Sequence, residues 1–119
     1  MTWIFKKLYN STLYSFSGLK TGIAEDQSVR MEAILVLIAV PLALMVEASL
    51  SERFWLIFSV LIIFIVELLN TAIEELVDHL FKEIDPIAKK AKDLGSAAVF
   101  VGVMHACGVW GTILYKNYL

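Results

Sequence analysis

Three apolar stretches, Ala33–Val46, Phe54–Ile73 and Leu94–Tyr115, constrain this chain more than any other feature of it. Leu94–Tyr115 carries no formal charge, and at about 1.5 Å per residue it reaches about 33 Å, enough to cross a bilayer core of about 30 Å. Phe54–Ile73 is as long as a span requires and holds a single charge, Glu67. Ala33–Val46 reaches only about 21 Å. To cross, it needs snorkelling flanks or a helix continuing past Glu32 or Glu47, and Pro41 in its middle predicts a kink that a membrane helix can absorb. Hydrocarbon offers backbone N–H and C=O groups no partner, so such segments can be only helices. Composition agrees: 59% of residues are hydrophobic and 18% charged, against about 45–50% and about 25% in globular domains. The expectation is an all-α membrane protein of one domain, 1–119, with transmembrane helices over 30–48, 53–78 and 94–116.

Ahead of the spans, Phe5, Leu8, Thr12, Phe16, Leu19 and Ile23 share a narrow arc at helical spacing, with Lys6, Lys7, Asn10, Ser11 and Ser17 outside it. This pattern predicts an amphipathic helix over 1–25 lying on the membrane surface. The N-terminus has no uninterrupted apolar core and no small-residue cleavage site, so no removed signal peptide is expected. Between the first two spans, Glu47–Arg53 reads as a short turn with Ser51 as the helix cap. Between the last two, Lys82–Asp93 is a charged connection in which Asp85 and Pro86 form an N-cap and first-turn pair. Ala98, Gly102 and Ala106 recur every four residues and leave a groove for the close approach of another helix.

The second span ends in ELLNTAIEELVD, Glu67–Asp78. Glu67, Asn70, Glu74 and Asp78 are 3, 4 and 4 residues apart, so they project from one face of a helix. A charge inside a membrane segment costs about 2.5–3.5 kcal/mol on insertion scales and marks function by default. Three carboxylates on one stripe repel each other unless cations stand between them. Basic residues fix the orientation: Lys6, Lys7, Lys20, Arg30, Lys82, Lys89, Lys90 and Lys92 fall on the stripe's side, against Arg53 and Lys116 on the other, which makes the stripe cytoplasmic. The same face receives Asp26 and Glu32 from the first segment and Lys92, Asp93 and Ser96 from the third. Carboxylates that hold Mg²⁺, with a lysine to neutralise developing charge, are what phosphoryl transfer requires. Glu67 sits deepest, in an apolar setting suited to a general base for a hydroxyl arriving from the bilayer. Three spans enclose such a stripe poorly, so a homo-oligomer is expected.

Other classes lack support. A net charge of −2 and the absence of a basic, aromatic-interleaved patch give no reason to expect a nucleic-acid partner. The chain holds no Walker A, GxGxxG, GxSxG or HExxH sequence. Cys107 reads as a small buried hydrophobe, His105 as a hydrogen-bonded core residue, and Trp3, Trp110, Tyr115 and Tyr118 as interfacial anchors. The competing class is a small oligomeric transporter or ion pathway using Glu67, but Phe54–Val66 supplies only Ser59 as a polar lining.

VELLNTAIEELVD, followed after a charged loop by AKKAKDLGSAA, resembles the small bacterial membrane diacylglycerol kinases, a family that includes undecaprenol kinases. The likeness runs from about Lys7 to Trp110 with the segments in the same order. It implies a homotrimer of three transmembrane helices plus a surface helix, with active sites shared between subunits at the cytoplasmic face of the inner membrane and ATP and Mg²⁺ as co-substrate and cofactor. By that resemblance Glu67 is the catalytic base, Glu74 the main metal ligand and Asp26 its partner. Both metal ligands also border ATP, with Tyr14, Glu83, Asp85, Lys92 and Asp93 at nucleotide-contacting positions and Asn70 and Asp78 supporting the site. Lys7, Phe16, Glu32, Ser96 and Trp110 correspond to positions lining the lipid. The family usually has Glu, one methylene longer, where this chain has Asp26. The Gly95–Ala98 run and Glu32 look more like the diacylglycerol branch than the undecaprenol branch.

Overall fold

The computed structural model describes residues 1–119 and is helical almost throughout: α1 (Thr2–Glu25), α2 (Gln27–Met45), α3 (Leu50–Leu80) and α4 (Pro86–Tyr118). Its all-α architecture is the expected one, and α2, α3 and α4 are each long and apolar enough to cross a membrane. α2 begins ahead of Glu32 and stops before Glu47, so its 19 residues reach about 28 Å, close to a bilayer core. The first span is thus completed at its N-terminal end only. The helix runs through Pro41 without a break.

α3 is the central helix, packed on α2 along one side and on α4 along another, while α1 packs mainly on α2. Leu56, Ser59, Val60, Ile63, Glu67 and Asn70 are its buried residues. Most large apolar side chains elsewhere, such as Leu37, Ile65 and Phe100, face outward, as a membrane interior demands. On α4 the buried residues Gly95, Gly102, Ala106 and Ile113 form the seam against α3. Gly102 and Ala106 therefore serve contact within the chain, whereas Ala98 faces outward.

Several polar expectations are corrected. The α3 cap is Ser49, not Ser51: the Ser49 hydroxyl accepts from Glu52 N–H at 3.1 Å and Glu52 Oε1 accepts from Ser49 N–H at 2.9 Å, a reciprocal capping box. The turn is tighter than expected because α3 starts at Leu50. Cys107 is exposed rather than buried, and His105 is exposed and makes no hydrogen bond within the chain, because both lie off the Gly95–Ile113 seam. Trp110 is half-buried, its indole N–H donating to Leu56 O at 3.1 Å. It is a strut between α4 and α3. Lys89, Lys90 and Lys92, placed in a connection by their charge, stand in the first two turns of α4. Asp85 caps that helix by accepting from Ile87 N–H at 2.8 Å and Ala88 N–H at 3.1 Å.

The end away from the stripe is closed by polar ties. Arg53 donates to the last carbonyls of α2, Ala43 O at 3.1 Å and Leu44 O at 2.7 Å. Tyr118 Oη accepts from Glu47 N–H at 2.7 Å, Asn117 donates to Glu47 O at 2.6 Å, and Lys116 pairs with Glu52 at 3.2 Å. On the seam, a Cβ added at Gly102 would meet Ile63 Cγ1 at 3.8 Å, an ordinary contact. Gly102→Ala is therefore expected to leave thermal unfolding in detergent unchanged or to stabilise by about 0.5–1 kcal/mol through helix propensity.

Candidate active site

The polar stripe of α3 forms as its spacing predicts. It lies between α4 on one side and the α1–α2 elbow on the other. Glu67 and Asn70 are each only 7% exposed, and both are tied to their own helix. Thr71 Oγ1 donates to Glu67 Oε1 at 3.3 Å, and Asn70 Nδ2 donates to Glu74 Oε1 at 3.2 Å. The second bond sets the Asn70 amide, since the flipped group would turn its oxygen on a carboxylate. Asn70 Oδ1 is then left buried without a partner, as is Glu32 Oε2. Glu32 and Glu74 both stand within Coulombic reach of Glu67. Buried acceptors without partners cost stability, and the fold keeps two of them near its buried acid.

Asn70 fits only because its neighbour on α4 is glycine: a Cβ at Gly95 would overlap Asn70 Oδ1. Thr71 and Gly95 are site residues that the sequence reading passed over. Thr71 carried a signal, being four residues from Glu67 and thus its neighbour on the helix surface. Gly95 carried none, because its partner lies on another helix.

Beyond the stripe, between the end of α3 and the start of α4, lies a groove of about 480 Å³ bordered by Asp78, Glu83, Asp85, Lys89, Lys92 and Asp93. Lys92 Nζ meets Asp78 Oδ1 at 2.8 Å and Lys89 Nζ meets Asp93 Oδ2 at 2.7 Å. These lysines precede Leu94, where the apolar span of α4 begins. The hydrogen bond and charge of Asp78, with a smaller contribution from Glu74, push the Lys92 ammonium above its ordinary range. Asp93 does the same for Lys89. Four of the expected nucleotide-contacting residues, Glu83, Asp85, Lys92 and Asp93, thus meet in one groove. Tyr14, exposed on α1, is not part of it.

A second groove, of about 630 Å³, separates the α1–α2 elbow from α3, and Asp26 faces it together with Thr71 and Glu75. Thr71 borders this groove and also holds Glu67, so it links the Asp26 side to the stripe. Asp26 is the N-cap residue of α2, yet its carboxylate makes no capping bond. No three carboxylate, histidine or cysteine groups gather as a ready metal site within one chain. Of the lipid-lining positions, Lys7 and Phe16 lie on α1, Glu32 lies on α2 within Coulombic reach of Glu67 and Ser96 is exposed on α4. Trp110 stands about 25 Å along α4 from Asp93, at the closed end, so one chain does not bring it to the others.

Fold and site together define a small membrane protein with three helices able to span and a buried acid opening onto a charged groove. The chain matches the prokaryotic diacylglycerol kinase family over residues 13–114. It is 34% identical over 114 residues to a diacylglycerol kinase of Escherichia coli K12, with 96% of this chain and 93% of the relative covered. The diacylglycerol kinase of Pseudomonas aeruginosa is 38% identical over 109 residues, covering 92% of this chain and 89% of that one. That of Haemophilus influenzae is 39% identical over 108 residues, covering 91% and 92%. The chain belongs to the prokaryotic diacylglycerol kinase family.

Gly95→Ala pushes Asn70 off Glu74 without touching any carboxylate. It is expected to cost about 1–3 kcal/mol of stability by overpacking and to lower turnover at least about ten-fold, the scale of a lost positioning contact. Adding Asn70→Ala restores the unfolding temperature but not the turnover.

Proposed function

We propose that this chain phosphorylates diacylglycerol to phosphatidic acid with ATP, as a homotrimer whose active sites lie at the cytoplasmic face of the bacterial inner membrane. The observation that carries the reading is Glu67, an acid 7% exposed, set among apolar residues at the inner end of a stripe that leads to the charged groove. A lipid alcohol reaches such an acid laterally, through the bilayer, while a nucleotide reaches the groove from water. Family membership and the diacylglycerol kinase names of its relatives support the substrate class.

In this reading Glu67 takes the proton of the lipid's primary hydroxyl as that oxygen forms a bond to the γ-phosphorus. The bond from the γ-phosphorus to its bridging oxygen breaks, and ADP leaves. Thr71 holds Glu67 Oε1, and Asn70 aims Glu74. Lys92 exchanges Asp78 for phosphate oxygens and neutralises charge developing on them. The available ligands, carboxylates and an amide, are all oxygen donors, which suits Mg²⁺, an ion that binds through one or two carboxylates, waters and phosphates. Glu74 and Asp26 would hold it, and when bound it would offset the charge of the phosphate oxygens. One feature supports an oligomer: in a single chain the outer half of the stripe is uncovered, Glu74 half-buried and Asp78 exposed, and further helices would cover it. The basic-residue asymmetry supports the orientation. A transporter is disfavoured because Ser59, the one polar residue of Phe54–Val66, is fully buried with its hydroxyl bonded to Leu56 O at 2.9 Å, and no polar path crosses the span.

Purified protein in lipid, supplied with γ-labelled ATP and a panel of lipid alcohols, is expected to label diacylglycerol in preference to undecaprenol. Glu67→Gln should lower turnover by about 10²–10⁴-fold, the usual worth of a general base, and Glu74→Gln should raise the Mg²⁺ requirement. Wild-type turnover in Glu67→Gln, or an unchanged Mg²⁺ requirement in Glu74→Gln, removes that residue's role, and labelling of undecaprenol alone moves the enzyme to the other branch.

A further inference from the structure

α1 and α2 meet at one residue, Asp26, and the geometry of that elbow is held by Arg30. Asp26 is extended, with φ −109° and ψ 118°, and its backbone is occupied on both sides. Its N–H donates to Gly22 O at 2.9 Å, closing α1, and its carbonyl accepts from Arg30 N–H at 3.0 Å, opening α2. The Arg30 guanidinium reaches back across the elbow, Nε donating to Ile23 O and Nη2 to Ala24 O, each at 2.9 Å. Those carbonyls belong to the last turn of α1, which has no intrahelical donors for them and carries the negative end of the helix dipole. A planar fork with two donors suits this task, and a lysine ammonium cannot reproduce it. On the inner side Gly22 lies so close to Val29 that a Cβ would stand 3.1 Å from Val29 Cγ1. The elbow is thus clamped on two sides, while the Asp26 side chain makes no bond within the chain and faces the groove beside Thr71.

We infer that Arg30 is a positioning residue for the metal site: by fixing the angle between the surface helix and α2, it aims the Asp26 carboxylate at the cation shared with Glu74. This rests on the metal-ligand role proposed for Asp26. The shortness of that side chain sharpens the requirement, because an aspartate has less reach than a glutamate to make good a movement of its backbone.

Full-length protein in lipid nanodiscs is titrated with Mn²⁺ and ATP, bound Mn²⁺ being read by electron paramagnetic resonance. In parallel, nitroxides placed by Ser11→Cys and Leu37→Cys in a Cys107→Ser background report the distance between α1 and α2. Arg30→Gln and Arg30→Lys should both weaken Mn²⁺ binding by about five- to ten-fold, the scale of two ordinary hydrogen bonds, and broaden the distance distribution. The Mg²⁺ concentration for half-maximal turnover should rise by a similar factor, with turnover at saturating Mg²⁺ within about two-fold of wild type. A purely structural role would lower turnover at every Mg²⁺ concentration. Wild-type Mn²⁺ affinity in Arg30→Gln, or full recovery in Arg30→Lys, overturns the inference. If Asp26→Asn also leaves Mn²⁺ affinity unchanged, the metal role of Asp26 fails with it, while diacylglycerol labelling by the wild type still stands for the kinase reading.

Discussion

A carboxylate in hydrocarbon has no solvent to stabilise its charge, and the region around Glu67 is arranged around that fact. The acid sits on α3, which packs on α2 along one side and on α4 along another. α4 offers a glycine, Gly95, where it faces Asn70, and that leaves room for the amide, which bonds Glu74 on its own helix. Thr71 does the corresponding work for Glu67 from the next turn. These contacts leave Glu32 Oε2 and Asn70 Oδ1 buried without partners. A protein selected for stability alone would fill such positions with apolar groups of similar volume.

The two ends of the helical bundle divide the labour. At the closed end the α2–α3 turn is spanned by Arg53 and fastened to α4 through Tyr118, Asn117 and Lys116, while Trp110 ties α4 to α3 a turn or two deeper. At the working end the charged groups are paired mainly at the surface, as Lys92–Asp78 and Lys89–Asp93, with open grooves between the elements. Exposed pairs of this kind contribute little to stability and exchange partners readily. Such a distribution puts rigidity where helix positions are set and mobility where substrates enter.

The helices and the stripe were legible in the sequence because both depend on quantities a single segment carries: apolar length, and spacing at 3.6 residues per turn. Asp85 and Pro86 were legible for the same reason, a cap being local. The Ser51 cap was a local misreading: Ser49 with Glu52 three residues on is the capping-box sequence, whereas Phe54 stands three after Ser51. The other misplacements have a different origin. Cys107 and His105 were placed inside because the segment around them is apolar, yet in a membrane protein an apolar neighbourhood says nothing about which face looks at lipid. That face is set by the Gly95–Ile113 seam, visible only once α4 lies against α3. Asp26 shows the same limit: its position beside Thr71 follows from an elbow held by an arginine that composition assigned to the positive cytoplasmic flank.

The pairing of Lys92 with Asp78 bears on how a groove of this kind meets a polyanion. An ammonium left alone beside Glu74 and Asp78 would be drawn to one of them, and the structure has it on Asp78 at 2.8 Å, 14 residues away in sequence and on a different helix. The pair therefore fastens α4 to α3 across the groove while no phosphate is present. Phosphate oxygens entering there compete for the same ammonium, and any that win it leave Asp78 with an unpaired charge next to Glu74. Two neighbouring carboxylates freed of their cation are in turn what a divalent ion is attracted to. On the proposed reading, binding of nucleotide and binding of metal would be mutually favourable for this electrostatic reason, with α3 and α4 supplying one half of the exchange each.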